Sequence, residues 1–91
     1  MPQMNPNITM NGSTRGSLVM QRMAVVHALT DVIGAMRDMA PHGRDYQGLP
    51  PAESEARYRA DRSIWEARLL EVVRLQQEVE KEAIAIHNEQ Y

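Results

Sequence analysis

A chain of 91 residues and 10.3 kDa holds one small domain and excludes an enzyme cleft built between two lobes. Ten Lys and Arg against twelve Asp and Glu give a net charge of −2, which argues against the strongly basic surface of a general nucleic-acid binder. Cys and Phe are absent, so there is no disulfide framework, thiolate zinc site or cysteine nucleophile, and any core is aliphatic and rich in Met.

Residues 1–16 are rich in Pro, Asn and Gly and show no apolar periodicity, so they are expected to form a flexible arm that cannot fold alone. They lack the basic start and apolar block of a secretory leader. No uninterrupted apolar run is longer than Met23 to Val26, far short of the roughly 20 residues a bilayer needs. The expectation is a cytoplasmic protein with no membrane partner.

A first helix is expected over 17–39, with Ser17 as its N-cap. Leu18, Val25, Leu29, Val32, Met36 and Met39 recur at helical spacings and form one stripe, widened by Val26 and Ile33. His27, Asp31, Gly34 and Asp38 fall opposite, and Pro41 and Gly43 end the helix. A loop spans 40–49.

A second helix is expected over 50–87. It starts at Pro50-Pro51, since Pro suits a first helical position, and Glu53 and Glu55 suit the positive end of the helix dipole. Tyr58, Trp65, Leu69, Val72, Val79, Ala83 and Ile86 sit at alternating heptad positions, with Arg62 and Gln76 on the same seam. Glu53–Arg57, Glu55–Arg59, Arg57–Asp61 and Arg62–Glu66 are oppositely charged pairs one turn apart, the mark of a solvated side.

The expected fold is all-α: residues 17–91 form an antiparallel helical hairpin with a longer second helix, behind the arm 1–16. Each helix has an apolar arc wider than one neighbour can cover, and such strips mark interfaces. Self-association into a homodimer or higher helical bundle follows, with overhanging C-terminal ends pairing as a coiled coil. Val25, Leu29, Val32, Met36, Trp65, Leu69, Val72, Val79 and Ile86 are the expected oligomer seam.

The loop Pro41-His42-Gly43-Arg44-Asp45-Tyr46 is the most distinctive stretch. His, Arg, Asp and Tyr this close together are the residue types of acid, base and anion chemistry. A structural role explains them more simply: Pro and Gly turn the chain, Arg44 and Asp45 bond to backbone, and Tyr46 packs on the hairpin. With Tyr58 and Trp65, residues His42, Arg44, Asp45 and Tyr46 are candidate partner contacts, since Trp and Tyr are enriched where interfaces are strongest. His27, Asp31, Asp38 and His42 offer too few ligands on one face for zinc. The arginines of the second helix point in several directions among acids, so they do not track a phosphate backbone. No catalytic residue, metal or cofactor is expected.

The stretch Ala40-Pro41-His42-Gly43-Arg44-Asp45-Tyr46 resembles a segment of short hypothetical proteins from tailed phages and prophages, in which an apolar helix, a PHGRDY-type loop and a longer charged helix follow one another. The resemblance covers about residues 17–88, and Gln47 stands where a second aromatic is expected. That group has no agreed activity, so it lends no catalytic residues; it implies a phage or prophage gene acting in a bacterial cytoplasm. The expectation is a non-enzymatic accessory protein that binds another protein, host or phage, and inhibits or modulates a host factor such as a defence system. The alternative is a virion or assembly component, capsid-stabilising or scaffold-like. A small DNA-binding regulator ranks below both.

Overall fold

A computed structural model describes residues 3–6 and 14–89. Among these, two α-helices, α1 (Arg15–Asp38) and α2 (Pro51–Asn88), pack against each other as an antiparallel hairpin, joined through a short 3-10 helix, Gly43–Tyr46. No strand occurs among the described residues. The molecule is a rod of 66 × 20 × 17 Å.

α1 begins two residues before the expected Ser17. Its N-cap is Thr14, whose side-chain oxygen accepts the Ser17 N–H at 3.0 Å. That satisfies a backbone donor the first turn leaves open, so Ser17 is the residue capped and not the cap. At the other end Met39 N–H donates to Ala35 O and Ala40 N–H to Arg37 O, and Pro41 prevents another turn. α2 starts with Pro51 in its first turn and Ser54 N–H on Pro50 O at 2.9 Å. Gly48 between the 3-10 helix and α2 has φ +92°, a left-handed conformation that favours glycine.

The register of the hairpin is read from bonds between the helices. Trp65 Nε1 donates to Met36 O at 2.7 Å, at the end of α1 where carbonyls lack helical partners. Gln76 Nε2 donates to Val26 O at 2.9 Å and to Thr30 Oγ1 at 2.8 Å. Arg22 Nε lies 3.4 Å from Glu82 Oε2. Residues 36, 26 and 22 of α1 therefore lie opposite 65, 76 and 82 of α2.

This register corrects the expected C-terminal overhang. The C-terminal end of α2 is its best-covered part, with Ala83 2% and Ile86 3% exposed, near Leu18 at 5%. The overhang lies at the other end: α2 has 38 residues against 24 in α1, and its surplus runs from Pro51 to near Asp61. The loop folds back onto that surplus through Tyr46.

The expected arm 1–16 is also divided. Thr14 to Gly16 belong to the capped start of α1. Gln3 and Met4 lie along α2: Gln3 Nε2 donates to Glu78 O at 3.4 Å and Met4 N–H donates to Glu82 Oε1. The remainder of the arm, 1–2 and 7–13, lies outside the described residues, as do 90 and 91.

Candidate functional site

The loop residues singled out in the sequence come together as a self-bonded turn. His42 N–H donates to Asp45 Oδ2 at 2.9 Å, and Arg44 N–H donates to His42 Nδ1 at 3.2 Å, so Asp45 caps the His42 backbone and His42 caps that of Arg44. Tyr46 stacks edge-on against Tyr58 with ring centroids 5.9 Å apart. Its hydroxyl donates to Asp61 Oδ2 at 2.7 Å. That bond, aided by desolvation and the charges of Asp61 and Asp45, pushes the Tyr46 pKa up to about 12. One turn on, the Arg62 guanidinium lies 5.3 Å from the Trp65 ring centroid and bonds Glu66 Oε1 at 3.1 Å. The bond to Glu66, with one that Arg62 donates to the Tyr58 hydroxyl, raises the Arg62 pKa. His42, Arg44, Tyr58 and Arg62, with Arg37, line a groove of about 760 Å³ at this end of the rod.

The long apolar arc of α1 resolves into two faces. Leu18, Val26, Leu29, Ile33 and Met36 form the inner face, buried or half-buried on the side turned to α2. Of the expected oligomer seam, Leu29 and Met36 lie here. Trp65, Leu69, Val72, Val79 and Ile86 lie on the matching side of α2, on one stripe with Gln76 and so facing α1.

Val25 and Val32 lie elsewhere, 44% and 42% exposed. They belong to a second stripe of α1, in which Leu18, Gln21, Val25, Ala28, Val32, Ala35 and Met39 alternate at three and four residues without a single charge. Only its first residue is buried; Met39 is 58% exposed. Met39 shares a groove of about 300 Å³ with Ile64, Trp65 and Arg68 of α2, so the stripe is continuous with one side of that helix. Ile64 is itself 50% exposed. The hairpin thus has one broad face that is apolar and open along α1, while its α2 half carries Arg68, Glu71 and Glu78 and is met by Gln3 and Met4 at Glu78 and Glu82. Thr30 and Arg37 flank the inner face of α1 on the opposite side, with Glu66 and Glu80 in the matching positions of α2.

By length and composition α1 is apolar enough to cross a membrane, with an 18-residue stretch of mean hydropathy 1.2 of which 11% is buried. The low coverage reflects the open second face. Within that helix Arg22 is paired to Glu82, and the Val26 carbonyl takes the amide of Gln76.

The pair the sequence reading missed is Arg22 and Glu82. Their side chains are 12% and 6% exposed, and the Glu82 carboxylate also accepts Met4 N–H. Arg22 Nη1 donates to Leu18 O at 3.3 Å. The available signal was positional: Arg22 stands four residues from both Leu18 and Val26, inside the apolar arc. Among the described residues no group of three or more His, Asp or Glu stands close enough to hold a metal, and His27 and Asp31 are both exposed. No protein-family model, curated protein or solved structure matches this chain.

Proposed function

We propose that this chain is a non-enzymatic accessory protein that works by binding protein, and that its open apolar stripe on α1 is required for that binding. The observation that carries this reading is the uncharged stripe of α1, with Val25, Val32 and Met39 left 42% to 58% exposed after the hairpin has formed. Exposed apolar surface on this scale, rimmed by charge, favours protein contact. The loop end supports the same reading. His42 Nδ1 and Asp45 Oδ2 bond backbone of their own turn, and Tyr46 packs on Tyr58, so these residues hold the shape of the loop.

The resemblance of the loop to short phage and prophage proteins sets the context: a small protein acting in a bacterial cytoplasm on a host or phage protein, with modulation of a host factor as its form of action. Pull-down from cells that carry the gene naturally, followed by mass spectrometry, tests this. The wild type is expected to retain a specific protein at stoichiometric yield, and Val25→Asp with Val32→Asp to lose it. Equal capture by both chains excludes the broad face as the site of action. Recovery of the protein in purified virions would favour the assembly-component reading instead.

A further inference from the structure

Resting on that reading of the broad face, we infer that its occupant is a second copy of this chain, packed antiparallel to make a four-helix bundle. Three observations carry this. The first is size. α1 spans about 36 Å at 1.5 Å per residue, and the molecule is 20 Å wide. The stripe therefore offers an unbroken flank along most of the rod's length, long enough for helices to pack side by side as in a bundle.

The second is symmetry of shape. When two such faces meet about a two-fold axis across the rods, α1 stacks on α1 and α2 on α2, each running antiparallel to its mate. Val25 and Val32 then exchange places across an axis level with Ala28 and Leu29, so each valine meets the other's counterpart. The centre is Ala28, small enough for close approach of two helices.

The third is charge. On the same side of α2, Arg68 lies towards the loop end, while Glu71 and Glu78 follow Ile64 at heptad steps towards the open end. Neither Arg68 nor Glu71 has an ion-pair partner among the described residues. An antiparallel mate brings Arg68 of each copy towards Glu78 of the other, about an axis at residue 73. The two axes agree. Gln76 opposite Val26 fixes the register, and it sets the midpoint of Val25 and Val32 level with residues 73 and 74 of α2. A parallel mate would set α1 on α2 and forfeit both pairings.

Sedimentation equilibrium on the full chain tests the inference. The wild type is expected at twice 10.3 kDa at micromolar concentration. Val25→Asp with Val32→Asp should sediment as a monomer with unchanged helicity, because both positions are exposed in the single hairpin. Arg68→Glu and Glu78→Arg should each weaken the dimer on the order of tenfold, since the pair occurs twice, and the two together should restore it. A monomeric wild type overturns the inference. If that monomer still captures a protein that the valine variant loses, the functional reading survives with a different occupant. If it floats with phospholipid vesicles and captures nothing, both fail. A dimer indifferent to the valine variant excludes this face, and an absence of rescue excludes the antiparallel arrangement.

Discussion

Glu82 holds three parts of the molecule at one carboxylate: Arg22 of α1, the Met4 amide and its own helix. Both charged side chains are nearly covered, so each depends on the other to offset desolvation. Glu82→Ala or Arg22→Ala is expected to destabilise the fold by about 3 kcal/mol, because the survivor is left buried and unpaired. Replacing both by Leu and Met of similar volume should recover most of that loss. Urea unfolding of the two single variants and the double variant measures it. Tyr46 gives a second handle. Its hydrogen bond to Asp61 favours the neutral phenol in the folded chain, so the pKa rises from the ordinary 10 to about 12. The bond therefore stabilises the fold fully below pH 10, and this contribution is lost as pH climbs through about 12. Ultraviolet titration should find one tyrosine ionising late. Asp61→Asn should bring that residue back towards 10, and Tyr46→Phe should remove it.

For the two helices, much was written in the sequence. The heptad of α2 from Tyr58 to Ile86 is a single strong period, and the described helix follows it without a break. The excess width of the α1 arc was also visible, because Val25, Val26, Val32 and Ile33 cannot all face one neighbour. How that arc divides was not visible. The division depends on the rotation of α1 about its axis, which Gln76 and Trp65 fix by reaching the Val26 and Met36 carbonyls across the seam. Two polar-tipped side chains thereby set which valines are inner and which outer, and periodicity weighs only apolar residues. The end at which α2 overhangs was hidden for the same reason. Arg22 and Glu82 went unnoticed because a charge at helical spacing reads as surface until its partner is known. The division predicts opposite outcomes for two chemically identical changes. Val72→Asp turns a carboxylate towards α1 and should cost several kcal/mol of hairpin stability, whereas Val32→Asp should leave the helix signal and melting of the single hairpin nearly intact. Circular dichroism melts of the two variants separate them.

The whole molecule is an elongated rod with a radius of gyration of 19.6 Å and a longest dimension of 66 Å. An antiparallel mate lying along the broad face thickens the rod and barely lengthens it. Small-angle scattering of the wild type should therefore give a maximum dimension near that of one hairpin, with twice its mass. Pairing by overhanging tips, the arrangement the unequal helix lengths first suggest, would instead nearly double the length. The overhang of α2 lies at the loop end and is already covered in part by Tyr46, which leaves little there for a tip-to-tip coil.

The closest packing, at Leu18, Ala83 and Ile86, sits at the open mouth of the hairpin, as far along the chain from the turn as the helices allow. A half-zipped chain has thus ordered its turn and met the looser contacts, but gained almost none of its tightest ones. Its entropy loss comes early and its reward late. Such a molecule should open as a unit, without peeling from its ends. Hydrogen exchange should find amides of the last turns of α2, ordinarily the first to exchange in a lone helix, nearly as slow as those at its middle.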